Sequence, residues 1–311
     1  MRTLLVVNTF ATTTNDAISE AVCAALSATL DLTVVNTGAR NEATQIAKAA
    51  RTQGYELVIG LGGDGTLNEI ANGLLADGPN PEGPILAAIP GGNANVFARS
   101  MGFENDPTVA INQLLTAAKN KSFKTIGLGK ISTETLSRWF LFNSGIGLDA
   151  AVLARMETRR ESGKMASDAS YAALAIRELF TRTDRKKPSL SLVSESGELY
   201  DNAYFALLIN FAPWAYLGNR AVNPMPGAGH ESALDVYAPT TLSVPAMFRL
   251  VRRAIAGVSA QDDKSVITLV DQKRIQITAK RPLWVQVDGD VVTQTSELTA
   301  VHIPNALRVL V

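Results

Sequence analysis

Short apolar runs alternate with segments of helical spacing over the first third of the chain. The apolar runs are TLLVVN (3–8), LTVVNT (32–37), YELVIGL (55–61) and PILAAIP (84–90). The segments with helical spacing between them are 16–30, 41–53 and 66–76. Continuous apolar runs are typical of parallel strands that are buried on both faces. The alternation therefore predicts a doubly wound parallel α/β domain, whose ligands bind at the carboxyl ends of the strands.

After about residue 125, apolar runs follow one another at hairpin spacing. These runs are FKTIGLGKIS, RWFLFNSGIG, SLSLVSE, LYDNAYFALLINF, ALDVYAP, SVITLVD, RIQITAK, PLWVQV and ELTAVHIP. Helical stretches at 147–161, 167–181 and 243–256 interrupt them. Consecutive strands at this spacing predict a second domain that is mainly antiparallel.

Composition and charge limit the classes of function. The chain has 311 residues, of which 46% are apolar, and its 29 Lys and Arg residues balance 29 Asp and Glu residues. Nucleic-acid-binding proteins usually show a basic excess, so we expect no nucleic-acid partner. Because Cys23 is the single cysteine, no disulfide framework forms within the chain, which favours a reducing compartment.

Membrane contact is expected to be peripheral. The most apolar window, YFALLINFAPWAYLG, is interrupted by Asn210 and Pro213, so it does not provide the ~18 apolar residues of a spanning helix. Two basic stretches, 155–165 and 182–189, suit either solvent or anionic lipid headgroups. We therefore expect a cytoplasmic protein that has the option of contact with the inner membrane face.

The stretch GLGGDGTLNE (60–69) joins the third strand to the third helix and matches G-x-G-x-x-G. A dinucleotide site would need an acidic residue about 20 positions later, where Pro90–Asn93 contain none, and a P-loop would need a lysine after the glycines. Thr66 and Glu69 have the spacing of a capping box. Backbone N–H groups of a glycine turn at a helix start also attract phosphate. We favour phosphate binding, with Asp64 positioning Mg²⁺.

A second glycine turn, PGGNANVFAR (90–99), follows the fourth strand and enters another helix. Asn93 and Asn95 donate and accept hydrogen bonds without charge, which suits an adenine or a ribose. Because the two turns follow neighbouring strands, we expect them to form one continuous nucleotide groove.

Five motifs in order resemble the diacylglycerol/sphingosine lipid kinase family in its bacterial form. They are GGDGTLNE, PGGNANVFAR, FLFNSGIGLDAAV (140–152), NPMPGAGHESALDVYAP (223–239), and WVQVDGDVV (284–292) with VHIPNALRVLV (301–311). NAD kinases and phosphofructokinases share GGDGT, whereas the ordered set covers essentially the whole chain. The resemblance implies an NAD kinase-like nucleotide domain over 1–125, to which strand 305–311 returns. It also implies a β-sandwich-like lipid-substrate domain over 126–304.

The resemblance also implies a reaction and its ligands. The family transfers the γ-phosphoryl of ATP, with Mg²⁺, to the hydroxyl of a diacylglycerol-like or sphingoid lipid. Matching positions imply the ATP-binding residues Asn8, Thr9, Thr12, Thr37, Gly62, Gly63, Asp64, Gly65, Thr66, Asn68, Glu69, Gly92, Ala94 and Asn95. Ala94 and Val96 stand where the family usually has Thr and Asp, so side-chain contacts are lost there while backbone donors remain. The implied partners are a lipid alcohol and a membrane surface, and a homodimer is one option.

The implied catalytic carboxylates lie at Asp288-Gly289-Asp290, where the family has Asp-Gly-Glu. Asp-Gly between two strands is also an ordinary hairpin turn. Phosphoryl transfer needs a residue that receives the hydroxyl proton, and Asp288 and Asp290 are alternative candidates for this role, with Asp64 serving the metal. A structural Mg²⁺ in the family implies Glu231 and the carbonyl of Leu234 as ligands, although Glu231 is longer than the usual Asp.

Two other functions stay open at this point. The chain could be a soluble-substrate kinase of the NAD kinase type, because that class shares the first glycine turn. It could also be a non-catalytic lipid- or nucleotide-binding relative, because Ala94 and Asp290 depart from the family pattern. His230 and His302 are the only histidines, and they are too far apart in sequence to indicate a zinc site.

Overall fold

The computed structural model describes residues 1–9, 16–161 and 188–311, and the chain divides into two units. Unit 1 comprises residues 1–128 and 303–311, and unit 2 comprises residues 129–302. Thr12, the helical stretch expected at 167–181, and the parts 162–165 and 182–187 of the two basic stretches lie outside the described residues. In the described ranges we find no helix with both the length and the apolar character needed to cross a lipid bilayer.

Unit 1 is built on a parallel sheet. Its strands are β1 (Arg2–Asn8), β2 (Asp31–Thr37), β3 (Leu57–Gly62), β4 (Ile85–Pro90) and the end of the last strand, β16 (Asp290–Leu310). They lie in the order β16–β4–β3–β1–β2, and each neighbouring pair is parallel. Every residue of β3 and β4 is buried, as expected of central parallel strands. The predicted α/β architecture of the first domain is confirmed.

Five described helices accompany these strands. They are α1 (Asp16–Ser27), α2 (Glu42–Ala50), α3 (Asp64–Leu74), α4 (Val96–Ser100) and α5 (Pro107–Asn120). The apolar pattern did not predict α5, although its start carries a clear signal. The Asp106 carboxylate accepts the N–H groups of Thr108 and Val109, and Pro107 occupies the first turn, both of which favour a helix start.

Unit 2 is rich in antiparallel strands, which confirms the predicted class of the second domain. The strands, of which the first also extends into unit 1, are β5 (Phe123–Ser132), β6 (Ser137–Phe140), β7 (Asn143–Ile146), β8 (Leu190–Val193), β9 (Leu199–Ala203), β10 (Ala206–Ile209), β11 (Ala215–Leu217), β12 (Arg220–Val222), β13 (Leu234–Pro239), β14 (Val266–Gln272) and β15 (Arg274–Val287). They pair antiparallel in the order β14–β13–β10–β7–β15–β16. The described helices of unit 2 are α6 (Leu148–Glu161) and α7 (Val244–Ala256).

The runs RIQITAK and PLWVQV, which were expected as two strands, form the single strand β15. Its pairing with β16 shifts register between Thr278 and Leu283. Pro282 lies inside this irregular stretch, where it does not have to donate a ladder hydrogen bond. The proline therefore marks a bulge within one strand and does not end the strand.

Candidate active site

The glycine turn between β3 and α3 leaves the start of a helix without a side-chain cap. α3 begins at Asp64, and its N-cap residue Gly63 is extended and supplies no capping side chain. The first-turn N–H groups of an α-helix have no partner within the helix. In α3 these groups belong to a segment with two glycines, Gly63 and Gly65, which lets a ligand approach the backbone closely. This end of α3 is therefore suited to bind a phosphate group.

The capping box predicted for Thr66 and Glu69 is wrong, because α3 begins two residues before Thr66. The Thr66 hydroxyl instead accepts a hydrogen bond of 2.8 Å from the Asn8 side-chain amide at the end of β1. The Glu69 carboxylate accepts the backbone N–H of Asn41 at 2.9 Å, just before α2. Both side chains therefore join the glycine turn to neighbouring elements of unit 1.

The two glycine turns of unit 1 pack backbone against backbone. The N–H of Gly91 donates to the carbonyl of Gly62 at 2.9 Å. A Cβ atom added to Gly92 would lie 2.6 Å from the Cα atom of Gly63, which is closer than real side chains come. Glycine at position 92 is therefore required by the close approach of the turns.

Asp64 connects these turns through its carboxylate. One oxygen accepts the N–H of Val96 and the other the N–H of Phe97, each at 3.0 Å. These N–H groups lie in the first turn of α4, where a negative charge is favourable. Carboxylate oxygens are also the ligands that Mg²⁺ takes from proteins. Asp64 therefore fits a role as a Mg²⁺ ligand that acts together with substrate phosphates.

Asn95 has a structural role in the second glycine turn. It is buried and adopts φ +48°, and its side-chain oxygen accepts the N–H of Gly92 at 2.9 Å. Its amide nitrogen donates to the carbonyl of Gly92 and to the side chain of Asn105, each at 2.7 Å. Because both polar atoms of the Asn95 amide already form hydrogen bonds within the loop, this side chain has less capacity to bind an adenine or a ribose. Ala94 precedes it and is half-buried, whereas Asn93 is exposed.

Other residues expected at the nucleotide site lie near the carboxyl ends of β1 and β2. Asn8 pairs with Thr37 in the parallel register, and the hydroxyl of Thr9 donates to the carbonyl of Thr37 at 3.1 Å. Unit 1 thus places these residues at the same sheet edge as the glycine turns, which is where α/β sheets bind ligands. Asn68, by contrast, is fully buried in α3 and accepts a hydrogen bond from Asn72.

In unit 2, Asp288 anchors the turn between β15 and β16. Its side chain is 2% exposed, and its φ of +47° places the backbone in the left-handed region. Its carboxylate accepts three backbone N–H groups, from Leu141 at 2.7 Å and from Phe142 and Asn143 at 3.0 Å. Because the carboxylate is buried and held by these donors, Asp288 stabilises the turn.

A buried amide pair supports the same turn. The Gln286 side chain, which is also buried, donates to the Asn143 side-chain oxygen at 2.8 Å. It also accepts the N–H of Gly289 at 2.9 Å, and Asn143 donates to the carbonyl of Trp214 at 2.9 Å. This role of Gln286 and Asn143 was not predicted from the sequence. The available signal was a polar residue, Gln286, between the apolar residues of the run WVQV.

Asp290, two residues after the anchor, is accessible. Its side chain is 35% exposed and lies 3.6 Å from the Arg138 guanidinium. A cleft of about 240 Å³ in the same unit is lined by Trp284, Val291 and residues of α6. Val291 follows Asp290 directly, so a carboxylate and a partly apolar cleft are neighbours in unit 2. The two candidate bases therefore differ in exposure, since Asp288 is buried and Asp290 is partly accessible to solvent.

The expected structural metal ligands do not form a cluster of acidic groups. Glu231 is exposed, whereas Leu234 is fully buried at the start of β13. The neighbouring Asp235 carboxylate accepts the N–H of Asp271 at 3.0 Å, and burial raises the pKa of Asp235. Among the described residues, no group of three or more His, Cys, Asp or Glu side chains is arranged to hold a metal ion. The Glu231 and Leu234 assignment stays a prediction.

We expect the substitution Gly92→Ala to weaken ATP binding by roughly 10- to 100-fold, by analogy with the roughly 100-fold cost of a 1 Å misplacement in catalysis. The added methyl group would force apart the turns that meet at Gly63. Titration calorimetry with ATP measures the effect. Gly38→Ala is the matched control, because its Cβ would meet its nearest atom at an ordinary 3.7 Å. Equal ATP affinities for the two variants would contradict this account of the turns.

Comparisons with known proteins show which proteins this chain resembles in sequence. A family model described as the diacylglycerol kinase catalytic domain matches residues 2–129. A diacylglycerol kinase of Bacillus subtilis (strain 168) is 41% identical over 249 residues, which are 80% of this chain and 76% of that protein. A diacylglycerol kinase of Staphylococcus aureus (strain JH9) is 36% identical over 93 residues, which are 30% of this chain and 27% of that protein.

Solved structures share the fold. A crystal structure of a diacylglycerol kinase from Bacillus anthracis str. Sterne has a TM-score of 0.72 at 19% identity, covering 99% of this chain and 96% of that chain. An NAD kinase from Archaeoglobus fulgidus in complex with ATP has a TM-score of 0.55 at 13% identity, covering 99% of this chain and 93% of that chain. At these identities, the likeness concerns the fold alone.

Proposed function

Because this chain belongs to the diacylglycerol kinase family, we propose that it transfers the γ-phosphoryl of ATP to the hydroxyl of a diacylglycerol-like or sphingoid lipid. The observation that carries this proposal is the uncapped start of α3 at the glycine turn of unit 1. It provides the phosphate-binding element that the reaction requires. The NAD kinase that shares the fold and binds ATP supports ATP as the phosphoryl donor.

In this proposal, different residues of unit 1 have different roles in nucleotide binding. The first-turn N–H groups of α3 bind phosphate oxygens, and Gly63 and Gly92 allow the two turns to meet without a steric clash. Asn8 holds Thr66, and Asp64 holds the start of α4, so the donors are fixed before ATP arrives. Asp64 would also hold Mg²⁺, which neutralises charge on the phosphates. Preorganised donors of this kind supply most of the catalysis in phosphoryl transfer.

Asp290 is the residue we assign as the general base. The lipid hydroxyl oxygen forms a bond to the γ-phosphorus, the bond from this phosphorus to the ADP oxygen breaks, and the Asp290 carboxylate receives the hydroxyl proton. Its partial exposure supports this role, whereas the buried Asp288 holds the turn on which Asp290 lies. Gln286 and Asn143 are positioning residues, because they act through that turn.

The cleft beside the turn is our candidate for contact with the apolar part of the acceptor. Trp284 and Val291 contribute apolar surface to it, while Arg155, Glu157 and Thr158 contribute polar groups. A lipid alcohol combines an apolar body with a polar reacting end, so it fits a lining of this mixed character. A cytoplasmic location, a structural Mg²⁺ at Glu231 and Leu234, and a homodimer remain parts of the proposal.

Incubation with γ-labelled ATP and a panel of acceptors tests the proposal. The panel contains diacylglycerol, a sphingoid base, ceramide and NAD. We expect label on a lipid alcohol and none on NAD. Label on NAD alone would overturn the lipid assignment in favour of an NAD kinase, and a lack of transfer to every acceptor would indicate a non-catalytic relative.

A further inference from the structure

Helix α7 of unit 2 carries an apolar stripe on its solvent side. Phe248 is 72% exposed, and about half of each of the Val244 and Val251 side chains is exposed. With the half-buried Ile255, these positions follow the spacing i, i+4, i+7 and i+11, so they lie within an arc of about 60° on the helix. Val258, which is also about half exposed, follows the end of α7 directly.

The packing of unit 2 does not explain this stripe. The opposite face of α7 contains the buried residues Ala246, Leu250 and Ala254, and Leu250 packs in a core cluster with Leu242 and Ala260. That face therefore already attaches the helix to its own unit. An apolar surface that is left over on a well-packed helix usually contacts a partner or a membrane.

Positive charge borders the stripe. Segment 243–265 contains the basic residues Arg249, Arg252, Arg253 and Lys264 and the acidic residues Asp262 and Asp263. Arg249 is paired with Asp263, and Arg253 is paired with Asp262. The first pair is close enough that the Arg249 guanidinium lowers the pKa of the Asp263 carboxyl. Both acids are thus compensated within the segment.

Two basic side chains of the segment have no acidic partner in it. Arg252 and Lys264 are exposed, and within the described ranges neither side chain forms a hydrogen bond or an ion pair. The segment therefore has a net charge of +2, and Arg252 lies about 40° around the helix from Phe248, at the edge of the apolar stripe. An exposed apolar stripe with basic residues beside it is typical of a helix that lies in the interface of an anionic bilayer.

We propose that the outer face of α7, formed by Val244, Phe248, Val251 and Arg252 together with the adjoining Val258, is the surface with which the protein binds anionic membranes. This inference rests on the proposed function, because a lipid kinase must reach an acceptor that resides in a bilayer. Charge disfavours a second copy of the chain as the occupant. A two-fold symmetric dimer formed through this face would place the uncompensated positive charge of each copy in the same interface.

Co-sedimentation with vesicles tests the proposal. The parent protein is expected to bind vesicles that contain phosphatidylglycerol more strongly than vesicles of phosphatidylcholine alone. Phe248→Ser should weaken binding to the anionic vesicles roughly tenfold, and Arg252→Gln should weaken it by less and only for anionic vesicles. Leu199→Ser, at a position that is 59% exposed on β9, is the matched control and should bind like the parent.

Two results would overturn the proposal. One is unchanged vesicle binding by both Phe248→Ser and Arg252→Gln. The other is a dimer in sedimentation velocity that Phe248→Ser dissociates while its vesicle binding stays intact, which would assign this face to a second copy. Because Phe248 is so exposed, we expect the variant to fold, and Arg252→Gln provides an independent test.

A kinase assay separates this inference from the proposed function. With a short-chain diacylglycerol dissolved as monomers, Phe248→Ser should retain the kcat/KM of the parent, and it should lose activity only on long-chain diacylglycerol in vesicles. If neither the parent nor Phe248→Ser phosphorylates any lipid but vesicle binding is weakened by Phe248→Ser, the proposed function is wrong and the membrane-binding surface is supported. If the parent and Phe248→Ser are equally active on long-chain diacylglycerol in vesicles, the assignment of this face as the membrane-binding surface is wrong.

Discussion

Replacement of Asp290 by Asn is expected to lower kcat for lipid phosphorylation by roughly 100- to 10,000-fold, the range of effects typical for loss of a general acid or base. The amide cannot accept the hydroxyl proton, although it has nearly the same shape as the carboxylate. Because the Asp290 side chain is partly exposed and its ion pair with Arg138 is long at 3.6 Å, the free energy of unfolding should change little, as for most surface pairs. Steady-state kinetics and thermal unfolding measure the two effects.

Asp290→Glu is the informative companion, because it restores the residue that the family usually has at this position. It should retain activity of the same order as the parent. If Asp290→Asn kept more than about a tenth of the parent kcat, Asp290 would not be the base. The role would then pass to another group that can reach the substrate.

Replacement of Asp288 by Ala is expected to destabilise unit 2 strongly. The substitution removes the acceptor of three backbone N–H groups, from Leu141, Phe142 and Asn143. Each buried donor that loses its partner costs about 1–3 kcal/mol, so the loss should be on the order of 3 kcal/mol even if water reaches some of the donors. Urea unfolding measures it through the transition midpoint at unchanged slope.

Asp288→Asn should lie between the parent and Asp288→Ala, because Asn keeps one acceptor oxygen. Asp77→Ala is the surface control, since Asp77 is exposed and its carboxylate pairs with Arg51. A stable Asp288→Ala protein with strongly reduced kcat would show that Asp288 acts in the chemistry and would reverse the roles that we assign to the two aspartates.

The architecture of this chain is largely readable from local patterns. The continuous apolar runs predicted β1 to β4 because central parallel strands bury both faces. The start of α3 was placed too late, because Thr66 and Glu69 had the spacing of a capping box. The structure uses both side chains for contacts with Asn8 and Asn41, which are distant in sequence, and local spacing carries no information about such partners.

The roles of the site residues depended on contacts between distant segments. Asp64 accepts N–H groups from residues 32 and 33 positions later, and Asp288 accepts N–H groups from residues about 146 positions earlier. The resemblance to lipid kinases, which the comparisons confirm, drew attention to both of these segments. It did not reveal that Asp288 is an anchor or that Gln286 supports the same turn, because both facts arise from the packing of β7 against β15.

The central claim is that this chain phosphorylates a lipid alcohol with ATP, and mass spectrometry of the reaction products tests it most directly. A native lipid extract is incubated with ATP and either the parent protein or the Asp290→Asn variant. We predict a lipid species heavier by one phosphoryl group that accumulates with the parent and is nearly absent with the variant. If no phosphorylated lipid forms with the parent, the central claim is contradicted. If the phosphorylated lipid forms equally with both proteins, the role of Asp290 is contradicted.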